Sequence, residues 1–124
     1  MANPNLNAPT AVYAANTFVA LTSTSETALI SNASTSNKVY LIDSIVVSNV
    51  DGASAADCSI SVYGADTNTG TGYRLVSTVS VPADATLIAV NKELGVTIKE
   101  NQSVYVTASA ASDLEVVAYW KEYQ

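Results

Sequence analysis

The chain has 124 residues, of which 48% are hydrophobic and 13% are charged, and its formal net charge is −6. This apolar content excludes a disordered chain, and no apolar run reaches the length that a membrane-spanning helix requires. Five basic residues stand against eleven acidic ones, which excludes the basic surface that binds free nucleic acid. We therefore expect a folded domain with neither a nucleic-acid nor a membrane partner.

Residues 1–11 are predicted to form an extended arm ahead of a single domain that spans residues 12–124. Pro4 and Pro9 lack a backbone donor, and the asparagines between them favour turns over a helix. The segment also lacks the basic and apolar regions of a secretory signal. Leu6 is its only sizeable apolar residue after the initiator methionine, so the arm is either disordered or held by a neighbouring subunit.

The rest of the chain has the pattern of short strands separated by turn residues, at the spacing typical of a β-sandwich or barrel. Within 38–50, Asp43 interrupts an apolar face, which predicts a bulge or bend near it. The segment 85–90 fits a helix or a strand, and we favour a strand because both neighbours are β. We expect eight or nine strands from the candidate segments 11–14, 17–22, 26–30, 38–50, 58–63, 73–81, 85–90, 95–98, 103–107 and 113–123.

Alternating apolar and polar side chains predict sheets with one dry face and one wet face, which is the antiparallel pattern. The fold class that we predict is an all-β antiparallel sandwich. Its core should contain Ile45, Val47, Ile60, Val62, Val79, Val104, Val106, Val116 and Trp120.

The residue types available for catalysis are few. The sequence has no histidine, the commonest general base and metal ligand, and its lone cysteine, Cys58, permits no intrachain disulfide. Cys58 lies in an alternating run and is predicted to be a small buried hydrophobe rather than a reactive thiol. The acid pairs Asp51 with Asp57 and Glu93 with Glu100 are better explained by turn chemistry than by a site. We predict no enzyme and no cofactor.

A glycine-rich loop follows the 58–63 strand. Asp66, Asn68 and Gly70 are spaced like the opening of a calcium loop, but Ser77 stands where the bidentate acid belongs. The glycine-rich sequence GTGY at 70–73 is better explained as a flexible hairpin loop than as a phosphate-binding loop. We therefore predict no metal site.

Serine, threonine and tyrosine are more frequent than charged residues on the predicted wet faces. Tyr105, Tyr119 and Tyr123 should point outward, and aromatic residues in such positions often mark contact surfaces. With Leu6 of the arm, they are the interface candidates. The alternative is a sugar-binding surface that uses Tyr73, Tyr105 or Tyr119 as a stacking platform.

The succession of strand and turn motifs resembles that of small β-sandwich virion proteins of tailed bacteriophages, over about Thr17 to Tyr123. In that family a VPA turn precedes an apolar strand, a polar turn and a V-x-V-x-A-S strand. The matching stretches here are IVVSN at 45–49, SISVYGAD at 59–66, LVSTVSVPADATLIAV at 75–90, GVTIKENQSVYVTAS at 95–109 and VVAYWKEY at 116–123.

The resemblance implies a jelly-roll-like sandwich that assembles as a trimer or a higher ring and has no catalytic residues. The function that we expect is a capsid decoration (cement) protein, a homotrimer that stabilises the head by contacts with the major capsid protein or other virion proteins. It would be made in the host cytoplasm and lie on the capsid surface. The alternatives are a neck, tail or fibre-associated virion protein and, in another class, a carbohydrate-binding β-sandwich module.

Overall fold

The computed structural model describes residues 3–124, in which nine strands form two antiparallel sheets. The all-β sandwich with eight or nine strands is therefore confirmed, and 11–14 and 17–22 belong to one strand. The ambiguous 85–90 segment lies mostly within a strand, as expected. The strands are β1 (Val12–Ala20), β2 (Thr27–Asn32), β3 (Val39–Asn49), β4 (Ala56–Tyr63), β5 (Gly72–Val81), β6 (Thr86–Asn91), β7 (Thr97–Ile98), β8 (Gln102–Ala108) and β9 (Leu114–Tyr123).

The larger sheet has the order β1-β9-β3-β6, with the short β7 also paired to β3, and the smaller sheet has the order β2-β8-β4-β5. The chain crosses repeatedly between the sheets, so that the first and last strands become neighbours. This interleaved order is that of a jelly roll, in which two Greek keys form a double sheet. The sandwich exposes one face of each sheet and leaves β1 and β6 at edges of the larger one.

The core lies between the sheets and contains most of the side chains that the alternation predicted. Val62 is half-buried and packs against this core. The predicted core residues that are buried are Ile45, Val47, Ile60, Val104, Val106, Val116 and Trp120.

Val79 is the exception, because 39% of it is exposed and the prediction that it belongs to the core was wrong. The pairing of β4 with β5 shifts register on both sides of Ile60, and Thr78 adopts a positive φ of 49°. The irregular pairing adds a residue to β5, so that Val76 lies opposite Ile60 and Val79 opposite the buried Cys58, both on the core side. Val79 is nevertheless exposed because β5 is an edge strand, whereas Val76 is buried.

The bulge predicted near Asp43 is present. The pairing of β3 with β9 shifts register between Ile42 and Ser44. The extra residue, Asp43, accepts a bond from Lys121 on β9 at 2.7 Å. The bulge thus places an ion pair on the outside of the larger sheet.

Two buried asparagines connect the strands to their loops. The amide of Asn49 donates to the carbonyls of Ser54 and Val81, both at 2.9 Å. The amide of Asn32 donates to Lys38 at 2.9 Å and to Ile98 at 3.3 Å. Each side chain satisfies carbonyl groups that burial removes from water.

Candidate interaction surfaces

The outer face of the larger sheet carries a row of apolar side chains that crosses four strands. Phe18 on β1 pairs with Val117 on β9, Val117 pairs with Val46 on β3, and Val46 pairs with Ile88 on β6. Phe18 is 64% and Ile88 67% exposed, whereas the two valines are half-buried. We call these four residues the apolar row. A contiguous exposed apolar surface is typical of a protein contact.

Tyr119 extends the apolar row on its own strand. Its ring lies edge-on to that of Phe18, with the ring centres 5.9 Å apart, and 44% of the residue is exposed. The sequence predicted the outward direction of Tyr119 but missed Phe18 and Ile88. Alternation in each strand indicates which residues share a face, but only the pairing between strands aligns them.

Polar groups flank the apolar row. On one side Glu115 pairs with Ser48, whose hydroxyl lies 3.2 Å from that of Thr86. On the other side, beyond Tyr119, lies the ion pair of Lys121 and Asp43. The hydrogen bond to Asp43 raises the pKa of Lys121. The ammonium group of Lys121 therefore stays charged beside the carboxylate of Asp43.

A cavity of about 220 Å³ lies beside this ion pair. Leu41 and Val96 contribute apolar walls, and Tyr123 lines the same cavity. The predicted outward residues Tyr119 and Tyr123 thus both belong to the outer face of β9, with Lys121 between them.

The last residues of the predicted arm, where it joins the domain, lie beside the end of β9. The carbonyl of Gln124 accepts bonds from the amides of Thr10 at 2.6 Å and Ala11 at 3.0 Å. Before that point the arm turns, because the Ala8 amide donates to the Asn5 carbonyl at 3.1 Å. Leu6 is 43% exposed. The first two residues of the predicted arm lie outside the described residues.

Tyr105 lies on the other side of the molecule. It is half-buried on the smaller sheet and meets the ring of Tyr63 edge-on at 5.5 Å. The Tyr63 hydroxyl donates to the carboxylate of Glu26 at 2.6 Å, and this bond is the main reason why the pKa of Tyr63 is raised. Tyr105 is therefore separated from Tyr119 and Tyr123 by the whole sandwich.

The three tyrosines considered as a sugar platform lie on three different surfaces. Tyr105 pairs across the sheet with Ser61, whereas Tyr73 pairs with the next residue, Val62, so the two rings point to opposite faces. Tyr119 is on the larger sheet. The structure brings no two of these three rings together, and the geometry does not favour a stacking platform.

The acidic candidates have structural contacts of their own. Asp51 accepts a bond from the amide of Ala53 inside its own turn. Glu100 is buried and accepts the amide of Asn37. Asp66 accepts the amide of Ser34 at 3.3 Å and thereby joins two loops. Within residues 3–124, no three histidine, cysteine or acidic residues are grouped as metal ligands would be. That range also contains no helix long and apolar enough to cross a membrane.

Cys58 is fully buried in β4, and burial raises the pKa of its thiol to about 11. The thiolate, which is the reactive form, is therefore disfavoured at neutral pH. The prediction that Cys58 is part of the core is confirmed.

None of the known protein families matches this sequence, and none of the curated proteins does. Solved structures match its fold. A chain of the acid-stable capsid of Helicobacter pylori bacteriophage KHP30 is similar over 94% of this chain and 90% of its own, with a TM-score of 0.55 and 11% identity. A chain of the Bacillus endospore appendages, described as disulfide-linked pili, is similar over 91% and 88%, with a TM-score of 0.52 and 15% identity. This chain therefore has the jelly-roll-like sandwich fold found in a phage capsid and in a bacterial pilus.

Proposed function

We propose that this protein is a structural component of a bacteriophage virion that acts through protein contacts. The observation that carries the proposal is the apolar row, because a jelly-roll face with two large hydrophobic residues about two-thirds exposed is suited to assembly. The fold shared with a chain of the KHP30 capsid supports the same role.

The specific role that we propose is that of a capsid decoration protein. It would bind the capsid surface as a homotrimer, with the arm and its Leu6 as one docking element. Tyr119 and Tyr123, on the outer face of the larger sheet, would contribute to contacts between copies, and Tyr105, on the opposite sheet, to a further contact with the virion. A neck, tail or fibre-associated position would use the same surfaces.

A subunit of a pilus is the second candidate, favoured by the likeness to the endospore appendage chain. That protein is described as disulfide-linked, whereas the one cysteine here, Cys58, is fully buried. A covalent chain of subunits through Cys58 would require the core to open, so we favour the virion role.

The test is deletion of the gene from the phage genome that carries it, followed by addition of the purified protein. We expect particles without the protein to assemble but to lose DNA at a lower temperature, and we expect added protein to restore the original temperature. Electron microscopy of restored particles should show trimeric density on the outside of the head. Particles of unchanged composition and heat stability after deletion would refute the proposal, and density at the neck or tail would refute the decoration role.

A further inference from the structure

The outer face of the larger sheet has a pattern that is complementary to itself. We propose that a second copy of this chain packs on it face to face, with one apolar row on the other. The inference uses the surface on which the proposed function rests and assigns its occupant, a second copy of this chain. The two copies would be related by a two-fold axis that runs parallel to the strands, between β3 and β9.

The order of the strands determines what such an axis brings together. Rotation about it exchanges β9 with β3 and β1 with β6, since these strands lie symmetrically about the axis. Phe18 of one copy then faces Ile88 of the second copy, and Val117 faces Val46 of the second copy. The four residues are in register across the sheet. One rotation therefore covers the whole apolar row, including both of its exposed ends.

The charged groups of this face obey the same symmetry. Lys121 on β9 and Asp43 on β3 form their 2.7 Å ion pair across the proposed axis. Rotation places each Lys121 near Asp43 of the second copy. The ammonium group of each copy then faces a carboxylate of the other. Glu115 would face Ser48 of the second copy, because these residues pair within the sheet. The contact places no like charges directly opposite each other, an arrangement that would oppose association.

The geometry is one that β-sheets commonly adopt. Two sheets that pack face to face lie about 10 Å apart with their strand directions within about 30° of each other, and an axis parallel to the strands keeps the two copies aligned. Phe18 and Ile88 are large enough to fill part of that space from both sides, and their burial would remove the most exposed apolar side chains of this face from water.

This contact is compatible with the proposed trimer. An isologous two-fold contact joins copies in pairs, whereas a trimer requires a different, head-to-tail surface on each copy. The apolar row would therefore join two trimers. The isolated protein should contain an even number of copies, six if both contacts form in solution and two if only this one does.

The experiment measures the mass of the isolated protein by light scattering across the micromolar range. Phe18→Glu and Ile88→Glu should each halve the number of copies, because each places a carboxylate against an apolar side chain of the second copy. Tyr73→Glu is the matched control: Tyr73 is 73% exposed on an edge strand of the other sheet, and its change should leave the mass unaltered. Circular dichroism checks that every variant is folded.

A double variant tests the axis itself. Phe18 and Ile88 are three strands apart within one chain, about 14 Å, so they cannot pair with each other there. Across the two-fold axis they are opposed at both ends of the apolar row. Ile88→Lys alone should halve the mass as Ile88→Glu does, whereas Phe18→Glu combined with Ile88→Lys should restore it. A double variant no better than the single ones would refute this axis.

The outcomes separate this inference from the proposed function. A wild-type protein that stays single at every concentration, yet restores the heat stability of particles, refutes the two-fold contact and leaves the virion role intact. Phe18→Glu and Ile88→Glu variants that keep the wild-type mass would refute the contact as well. A paired protein that is absent from purified particles refutes the virion role and leaves the contact intact.

Discussion

The ring of Tyr63 fills the space in which a side chain at Gly72 would lie. A β-carbon built on Gly72 would be 2.7 Å from Cζ of Tyr63 and 2.9 Å from its hydroxyl oxygen. The two residues are paired across β4 and β5. The hydroxyl of Tyr63 donates a hydrogen bond to Glu26, and its ring packs edge-on with that of Tyr105. These two contacts restrict movement of the ring away from Gly72. Glycine is required at position 72 because of this close approach.

Gly72→Ala should consequently destabilise the fold by about 1–3 kcal/mol, the usual cost of overpacking. The matched control is Gly64→Ala, since nothing lies within 4 Å of the added carbon there. That change should be neutral or slightly stabilising, because alanine restricts the unfolded chain. Urea unfolding of both variants measures the difference, and equal stabilities would contradict the close contact.

Tyr63→Phe removes the hydroxyl that donates to Glu26 and should cost about 1 kcal/mol near neutral pH. The bond raises the pKa of Tyr63 above the ordinary 10.0 in the folded protein. Its contribution is therefore complete below pH 10 and is lost as the pH rises through the higher, folded pKa. The stability gap between wild type and variant should shrink above pH 10.

Urea unfolding at a series of pH values checks this prediction for Tyr63. The exposed Tyr13, changed to phenylalanine, supplies the control and should show a much smaller gap at every pH. A gap for Tyr63→Phe that widens above pH 10 would show that the hydroxyl does not act as the donor.

Cys58 should resist thiol reagents in the folded protein. Its thiol is buried, and with a pKa of about 11 it is protonated at pH 8. A coloured disulfide reagent should therefore react with less than one thiol per chain until denaturant is added, and then with one. A gel without reductant should show only single chains. Rapid reaction in native buffer, or chains linked through disulfides, would refute this account of the core.

Trp120→Ala should cost about 3–5 kcal/mol, because the ring is buried between the sheets and its centre lies 6.0 Å from that of Tyr40. Tyr119 is the neighbouring aromatic on the opposite face of β9, and Tyr119→Ala should cost less than about 1.5 kcal/mol, the value of its edge contact with Phe18. Guanidinium unfolding compares them. Similar losses would mean that the two faces of β9 are equally buried.

The contrast between Trp120 and Tyr119 shows which part of the fold could be predicted from the sequence, namely the direction of side chains along a regular strand. On β9 the alternation runs unbroken, so the inward and outward residues were predicted correctly. On β5 the bulges around Thr78 interrupt it, and Val79 is exposed although it pairs with the buried Cys58, because β5 lies at the edge of its sheet. The position of a strand at an edge has no local sequence signal, because it depends on the order of the strands. The bulge at Asp43 could be predicted, because a charged residue within an apolar face indicated an irregularity there.

The interaction surface was less accessible to prediction than the core. The outward direction of Tyr119 followed from its own strand, but the apolar row joins four strands that are far apart in sequence. Phe18 and Ile88 become neighbours of one surface only when β1 and β6 are known to lie at opposite edges of the same sheet. The order of strands in a sheet is a long-range property that alternation does not encode.

The last prediction concerns the arm. The hydrogen bonds of Thr10 and Ala11 with Gln124 tie its root to the domain, so a deletion that tests docking must spare these two residues. We expect a chain without Ala2 to Pro9 to keep the wild-type melting temperature, because 43% of Leu6 is exposed and the Asn5–Ala8 turn is local. The same deletion should weaken binding to particles that lack the protein, since an arm that becomes ordered on binding contributes contacts only there. Leu6→Ser in the full chain should reproduce part of the loss. Unchanged affinity of the shortened chain would show that the arm is not a docking element.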